Sequence, residues 1–216
     1  NIKLATAVLI APLRNPALLA KTAATLDSIS KGRLELGVGL GWQKEEYDTA
    51  GLSFENRAEV FWETLDICKL LWEDSPISFN GKYFNFDDIW CHPQPPQGKD
   101  LPLLFGLKMT PENASKIARV GHGWIPIKTS RDFISEGKQI LSEAFINAGR
   151  NDQPRIRGQL PTCVDEDGLP NIQLTLNEIE KSMAAGLDEV EVFPINFVQG
   201  PEDIYKVLKL ISEVKK

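Results

Sequence analysis

Histidine, cysteine and positive charge are all scarce in this 216-residue sequence. It holds two histidines, His92 and His122, and three scattered cysteines with no Cys-x-x-Cys pair, so neither a zinc site nor a disulfide framework is indicated. The 30 acidic residues outnumber the 24 basic ones, which argues against a nucleic-acid-binding surface. No apolar run approaches the roughly 18 residues of a membrane helix, and the first residues do not resemble a signal peptide. We therefore expect a cytoplasmic protein whose partners are small molecules or its own copies.

Strand and helix signals alternate along the chain. Residues 2–10 form a nearly continuous apolar run with β-branched side chains, which predicts a strand buried on both faces. Asn15 and Pro16 fit a helix cap and a first helical residue, and Lys31–Gly32 fit a helix end. A second strand at 33–38 would complete a βαβ unit. The buried face of the helix is predicted to hold Leu19, Ala23, Leu26 and Ser30.

The rest of the chain continues this pattern after one interruption. A helix is predicted at about 55–72, and residues 77–97 indicate an inserted hairpin with an Asn80–Gly81 turn and a proline-rich connection. Six strand and helix pairs are compatible with either a (β/α)8 barrel or a doubly wound sheet. About two more units before Asn1 would complete the eight units of the barrel. The stripe of the 55–72 helix is Ala58, Phe61, Leu65, Cys68 and Leu71. The later strands are predicted at 102–108, 123–127, 155–164 and 188–195, and the later helices at 111–120, 131–148, 175–185 and 201–214.

Four glycines cluster in SKGRLELGVGLGW, residues 30–42. They lack the Gly-x-Gly-x-x-Gly spacing that runs directly into a helix in dinucleotide sites. A P-loop needs Gly-Lys-Ser/Thr at its end, where this stretch has Trp42–Gln43. A phosphate loop of either kind is therefore not indicated. The glycines either relieve crowding where strands converge or border an active site, and the residues alone leave both interpretations open.

Several separated motifs resemble the luciferase-like monooxygenase family of flavin- and deazaflavin-dependent oxidoreductases. They are the stretch 1–42 that ends in GVGLGW, EEYDTAGLSFENRAEVFWETLDICKLLW at 45–72, PLLFGL at 102–107 and GHGW at 121–124. Within the family, the chain most resembles the branch that uses the deazaflavin coenzyme F-420, with FMN users as close relatives. The resemblance implies a (β/α)8 barrel of the bacterial luciferase type that is incomplete here. Asn1 would lie at the start of the third strand, in a single domain over 1–216 with an insertion at about 77–100.

The resemblance also implies where a cofactor would bind. A non-proline cis peptide at Ala7–Val8 would lie behind the flavin ring, with Thr6, Ala7 and Val8 as the ring-facing wall. The end of the next strand, at Gly39, Leu40, Gly41 and Trp42, would face the ring system, because glycines let the backbone approach a flat ring. Trp42 stands where some deazaflavin-dependent dehydrogenases have a glutamate acid. Leu40 stands where bacterial luciferases have an arginine for the flavin phosphate.

The flavin phosphate is therefore expected at GLKMT, with Gly106, Leu107, Lys108 and Thr110 between a strand end and a helix N-terminus. The alternative is that Thr110 only caps that helix. His122 replaces the usual aspartate of the GHGW motif, and we expect it to be a turn residue. Arg57 is expected to pair with Glu45 or Glu46 on the surface.

Arg14 is a candidate either for binding a cofactor or substrate anion or for an exposed salt bridge. Trp62 and Trp72 either pack internally or belong to a dimer face, and the apolar residues from Phe61 to Trp72 could form such an interface. The resemblance implies a homodimer, a small-molecule substrate and, for an FMN enzyme, a flavin reductase as partner.

The function implied is hydride transfer to or from an organic substrate with coenzyme F-420 or FMN or, with FMN, oxygenation of that substrate. The residues identify no catalytic acid or base and no metal site. Two alternatives remain open. One is a flavin-binding relative without catalysis, and the other is a phosphate-sugar enzyme on a barrel that uses Lys108 and Thr110.

Overall fold

The computed structural model describes residues 2–214, in which the chain divides into two compact units. The first unit runs to Leu107 and also includes Val120–His122. The second comprises Lys108–Arg119 and the chain from Gly123 onward. The single domain expected over 1–216, with its insertion, stays a prediction.

The first unit combines parallel strands, helices and one antiparallel hairpin. Its parallel pairs join β3 to β1, β2 and β6, and its hairpin joins β4 to β5. Short 3-10 turns lie at Ala11–Leu13 and Gly98–Asp100. The elements in chain order are β1 (Leu4–Ala5), β2 (Leu9–Ile10), α1 (Pro16–Ser30), β3 (Leu34–Gly39), α2 (Lys44–Thr49), α3 (Arg57–Glu73), β4 (Ile77–Asn80), β5 (Asn85–Ile89) and β6 (Leu103–Gly106).

The strand predicted over 2–10 is wrong as a continuous buried element. It consists of the two-residue strands β1 and β2, and the Ala7–Val8 peptide bond between them is cis, as the resemblance implies. β1 is exposed and β2 is half-buried. Within residues 2–214 both strands pair only with β3. Their other edge is therefore not covered by a strand of the described chain, whereas β3 has strands on both sides and is buried throughout.

Helix α1 confirms its predicted limits. The side chain of Asn15 accepts a hydrogen bond from the Leu18 N–H, and Lys31 ends the helix in the left-handed conformation. Leu26 is exposed rather than buried, and the neighbouring Asp27 is fully buried instead. The Asp27 carboxylate accepts hydrogen bonds from the backbone N–H groups of Leu34 and Gln97 and from the Gln97 side chain. These bonds satisfy the buried charge.

Helix α3 buries most of its predicted stripe, but Ala58 is exposed, because it lies in the first turn. The helix begins at Arg57, after Asn56, rather than at residue 55. The sequence does not predict α2, which has Tyr47 as its one buried residue and so lacks the apolar periodicity of a longer amphipathic helix.

The hairpin at 77–89 is confirmed with a longer turn than predicted. Four residues, 81–84, connect the strands, and the Gly81 N–H donates to the Phe84 carbonyl. The Glu63 carboxylate of α3 accepts hydrogen bonds from the backbone N–H groups of Lys82, Tyr83 and Phe84 at 3.1, 2.9 and 2.8 Å. This carboxylate fixes the hairpin tip to α3.

The second unit also has parallel strands connected through helices. β8 pairs with β7 and β9, and the core includes Trp124, Leu141, Phe145 and Ile156. The elements are α4 (Pro111–Val120, whose last residue belongs to the first unit), β7 (Gly123–Trp124), α5 (Arg131–Asn147), β8 (Arg155–Gln159), α6 (Ile172–Leu176), α7 (Ile179–Ala184), β9 (Glu189–Glu191) and α8 (Ile204–Ser212).

Several predicted elements of the second unit differ in extent, including β9, which spans Glu189–Glu191 rather than 188–195, and α8, which begins at Ile204 rather than at residue 201. β7 ends at Trp124 rather than at residue 127, since Pro126 has no N–H for a strand ladder. β8 ends at Gln159 rather than at residue 164. The helix predicted over 175–185 is two short helices, α6 and α7, and α6 begins earlier because the Asn171 side chain caps it by accepting from the Leu174 N–H.

Candidate functional site

The first candidate site lies at the carboxyl ends of β3 and β6, where Val8, the residue before β2, covers two glycines. Gly39 of β3 and Gly106 of β6 are register partners. A methyl group added to Gly39 would lie 2.8 Å from Cγ2 of Val8, and one added to Gly106 would lie 2.9 Å from Cγ1 of Val8. Both glycines therefore leave room for the Val8 side chain. We call Val8, with Gly39 and Gly106 beneath it, the Val8 platform.

This geometry revises the interpretation of the glycines. The expectation is that Gly39 lets its own backbone lie against a flat ring, but the side chain of Val8 occupies the space beside it. The exposed surface at these strand ends includes the Val8 side chain, which is 37% exposed. Gly41 has a different reason to be glycine, because its φ is +72° and an added methyl would lie 3.0 Å from Ile10.

The residues around the Val8 platform are held by specific contacts. The Thr6 hydroxyl donates to the Gly37 carbonyl oxygen at 2.8 Å, so its proton already has an acceptor. The Tyr47 hydroxyl donates to the carbonyl oxygen of Leu40. Tyr47 is almost fully buried, and burial raises the pKa of its phenol. Tyr47 thus fixes the chain just beyond β3, a role that its place in EEYDTAG did not signal.

Trp42 and Ala7 complete the predicted ring-facing set. The Trp42 side chain is 82% exposed, so most of its indole surface is available to a ligand. Ala7 is also exposed. The structure thus brings Thr6, Ala7, Val8 and Gly39 together through the register of β2 with β3, while Trp42 extends beyond the strand.

The residues predicted to hold a phosphate differ in their surroundings. Leu107 of the first unit is buried. In the second unit, the Thr110 hydroxyl accepts a hydrogen bond from the Asn113 N–H at 3.2 Å, so Thr110 caps α4. The Asn113 side chain donates to the Lys108 carbonyl, and Lys108 itself is exposed. An anion site at Lys108 and Thr110 stays a prediction.

Two of the other residues singled out by the sequence have structural contacts. The prediction that Arg57 pairs with Glu45 or Glu46 is wrong: the guanidinium lies 3.7 Å from the centre of the Phe54 ring and donates to the Phe54 carbonyl at 2.6 Å. The His122 Nδ1 accepts from the Leu103 N–H at 3.2 Å, so this histidine fastens the start of β6.

The aromatic residues of α3 pack internally. Trp72 and Phe61 are buried, and Trp62 stacks on Phe105 with ring centres 5.4 Å apart. Trp72 also donates from its indole N–H to the Ala20 carbonyl. Phe61 and Trp72 are therefore not part of an exposed dimer face, and the homodimer stays a prediction.

The second unit contains a cluster of opposite charges across β8 and β9. Arg155 and Arg157 both donate to the Glu189 carboxylate, at 3.0 Å from Arg155 Nε and 2.6 Å from Arg157 Nε. Burial opposes ionisation of Glu189, but the two arginines outweigh it and lower its pKa. Burial raises the pKa of Glu191. The alternation of arginines in RIRGQ and of glutamates in EVEV was a sequence signal for this cluster.

The residues that the structure describes include neither a candidate metal site nor a helix that could span a membrane. Within residues 2–214, no group of three or more histidine, cysteine, aspartate or glutamate side chains could hold a metal ion. None of the helices described is long and apolar enough to cross a bilayer.

Comparison with known proteins decides the family. The profile of the luciferase-like monooxygenase family matches residues 1–168. An uncharacterized protein of Mycobacterium tuberculosis is 36% identical over 157 residues, which are 72% of this chain and 55% of that protein. The chain belongs to the luciferase-like monooxygenase family. This luciferase-like chain spans about half the length of such curated relatives.

Solved structures confirm the predicted α/β fold of an incomplete luciferase-like barrel. The coenzyme F-420-dependent tetrahydromethanopterin reductase of Methanopyrus kandleri matches with a TM-score of 0.78 at 20% identity, over 99% of this chain and 82% of that one. The oxygenating constituent of 3,6-diketocamphane monooxygenase of Pseudomonas putida, in complex with FMN, matches with a TM-score of 0.77 at 19% identity, over 99% and 78%. At these identities the likeness shows the fold of the luciferase-like chain.

Proposed function

We propose that this luciferase-like chain is part of an oxidoreductase that binds a flavin or deazaflavin on the Val8 platform. When bound, such a cofactor supplies hydride transfer to or from an organic substrate, and FMN also supplies oxygen activation. The observation that carries the proposal is the exposed Val8 side chain, fixed over Gly39 and Gly106 at the carboxyl ends of the strands. Ligands of barrel enzymes bind at this end.

The Val8 platform fits a flat aromatic ring. Its exposed surface is an aliphatic side chain whose branched Cβ restricts rotation, and the two glycines below it leave the space that this side chain occupies. Binding there would bury apolar surface on both partners, which is favourable in water. Trp42, with most of its indole exposed, would add a second apolar wall from the chain that follows β3.

The two structural relatives support coenzyme F-420 and FMN equally, since one depends on F-420 and the other is in complex with FMN. We further propose, within the second unit, an anion site at Lys108 and Thr110 that fits a phosphate. The exposed Lys108 supplies the positive charge, and the Thr110 hydroxyl keeps its proton to donate while its oxygen caps α4.

The proposal is tested by adding FMN and coenzyme F-420 separately to the full-length protein and following the absorbance and fluorescence of each. We expect one of them to bind, and Val8→Asp to abolish binding, because a carboxylate on the platform would be desolvated under the ring. Leu26→Asp, at an exposed residue of α1, is the matched control and should leave binding unchanged. Failure of both cofactors to bind the folded wild-type protein would refute the proposal.

Turnover separates the enzyme from a relative that binds without catalysis. With the bound cofactor reduced by a chemical donor, we expect reoxidation to accelerate when a substrate is supplied from a panel of ketones, imines and aromatic acids. With FMN, a flavin reductase should replace the chemical donor, and oxygen uptake should report oxygenation. A protein that binds the cofactor but shows no turnover with any of these would be the non-catalytic relative.

A further inference from the structure

A cleft of about 340 Å³ lies in the first unit, beside the loops that follow β2 and α2. One wall comes from Pro12–Asn15, and the opposite side from Gly51–Ser53 with Asn56 and Val60 of the following segment. Tyr83 and Phe84 of the hairpin tip complete the lining. We call this space the Arg14 cleft. Its volume is at the small end of ligand pockets, which measure about 300–1,000 Å³.

Charge in the Arg14 cleft comes from a single side chain. Arg14 is the one ionisable side chain with a full charge at neutral pH among the lining residues, none of which is acidic. Its backbone N–H donates to Ala11, but its guanidinium has no hydrogen-bond or ion-pair partner within residues 2–214. The alternative of an exposed salt bridge at Arg14 therefore has no acid to support it among the described residues. A guanidinium offers five N–H donors in a planar fork that matches a carboxylate.

The apolar walls of the Arg14 cleft are held in place without a ligand. The Glu63 carboxylate binds the backbone N–H groups of the hairpin tip, including those of Tyr83 and Phe84. Leu13, Leu52 and Val60 supply aliphatic surface on the other sides. A cleft that is already formed loses little entropy when a ligand binds.

A second, larger cleft of about 490 Å³ shares Asn15, Tyr83 and Phe84 with the first. Leu18 of α1 and Phe86 and Ile89 of the hairpin line it. The two clefts are thus neighbours at the hairpin tip.

We propose that the Arg14 cleft binds a small carboxylic acid with an apolar body. The single guanidinium balances one negative charge, as in a carboxylate, whereas a phosphate dianion would lack a second cation among the lining residues. The walls from Leu13, Leu52 and Phe84 select an aliphatic or aromatic body over a sugar.

Calorimetric titration of the full-length protein with octanoate and benzoate, without cofactor, tests the binding. We expect the wild type to bind at least one of them. Arg14→Gln should weaken binding by about 10-fold or more, because a hydrogen-bonded charge pair is lost, and Arg14→Lys should recover part of it. Arg131→Gln removes an exposed arginine of the second unit and should have no effect. The binding of octanol, which has no carboxylate, should change little in either glutamine variant.

A second variant separates the cleft from general attraction to positive charge. Leu52→Trp fills the cleft at a partly exposed residue, keeps Arg14 and should abolish octanoate binding. Equal octanoate binding by the wild type and Arg14→Gln would overturn the proposal, as would the absence of binding to the wild type. Inorganic phosphate that binds more tightly than octanoate in an Arg14-dependent way would overturn the choice of a carboxylate.

Failure of this inference is distinguishable from failure of the proposed function. Arg14→Gln should bind FMN or coenzyme F-420 as the wild type does, since Arg14 is not part of the Val8 platform. Cofactor binding without carboxylate binding would overturn the inference alone. Arg14-dependent carboxylate binding without cofactor binding would support the inference and overturn the proposed function alone.

Discussion

The close contact of Val8 with Gly39 makes a measurable prediction about the substitution Gly39→Ala. In a strand, alanine is favoured over glycine by about 0.5–1 kcal/mol, because glycine loses more conformational freedom on folding. An added methyl at Gly39 would, however, lie 2.8 Å from Cγ2 of Val8, and overpacking of this kind costs about 1–3 kcal/mol. The collision therefore outweighs the gain, and Gly39→Ala should lower the free energy of unfolding by about 1 kcal/mol.

A double-mutant cycle with Val8→Ala isolates this contact. Val8→Ala alone should cost about 1 kcal/mol, because it removes two partly buried methyl groups. In the Val8→Ala background the collision is absent, so Gly39→Ala should become stabilising by about 0.5–1 kcal/mol. Gly106→Ala should behave in the same way, since its added methyl would meet the other methyl group of Val8 at 2.9 Å. The interaction energy in each cycle should be about 1–3 kcal/mol.

Urea denaturation followed by far-ultraviolet circular dichroism measures each free energy of unfolding. Gly51→Ala serves as a control with a different mechanism: its φ is +69° and nothing lies within 4 Å of the added methyl. Its cost should therefore be the same with valine or alanine at residue 8. If Gly39→Ala is equally costly in both backgrounds, Val8 does not occupy the space above Gly39 and the reasoning is wrong.

Three further substitutions test other contacts. Thr110→Ala should lower stability by about 1 kcal/mol, because α4 loses its N-cap, and thermal denaturation should show Thr110→Ser restoring it. Tyr47→Phe should cost about 1 kcal/mol, because the hydrogen bond to the Leu40 carbonyl is lost. Because the pKa of Tyr47 is raised in the folded protein, the wild type should also lose stability above about pH 10. The phenylalanine variant should not show this loss. The pKa of Glu189 is lowered, so its stabilisation is present at neutral pH and lost as the pH falls through that lowered value; Glu189→Gln should therefore be less stable than the wild type at pH 7 and lose less on acidification.

Each of these predictions has an outcome that would contradict it. Equal melting temperatures for the alanine and serine variants at residue 110 would mean that the hydroxyl does not cap α4. Parallel stability curves of the wild type and Tyr47→Phe above pH 10 would exclude a role for the phenol proton. Parallel stability curves of the wild type and Glu189→Gln below pH 4.5 would likewise exclude a stabilising role for the Glu189 carboxylate. Glu191→Gln is the neighbouring control on β9.

Local signals in the sequence predict part of the fold closely. The limits of α1 follow from Asn15, Pro16 and Lys31, because capping and left-handed end residues act within a few positions of each other. α4 begins and ends where predicted for similar reasons. The stripe of α3 is correct except at Ala58, since the spacing of apolar residues repeats over several turns.

Other features depend on neighbours that no local pattern reveals. Residues 2–10 read as a buried strand by composition, yet their exposure depends on which strands pair beside them. Leu26 is exposed and Asp27 is buried, although the apolar pattern predicts a buried Leu26. Asp27 can be buried because Gln97, distant in sequence, supplies hydrogen-bond donors for its carboxylate.

The candidate site likewise has some features that the sequence predicts and others that depend on tertiary contacts. By itself, the sequence determined the family, the alternation of strands and helices, and the stretches whose ends form the predicted cofactor site, because these depend on the order of residues along the chain. Only the tertiary structure decided why Gly39 and Gly106 are glycines and where Arg14 faces a cleft. Those facts depend on Val8 and on the hairpin tip, which approach the glycines and Arg14 only when the strands pair and Glu63 anchors the hairpin.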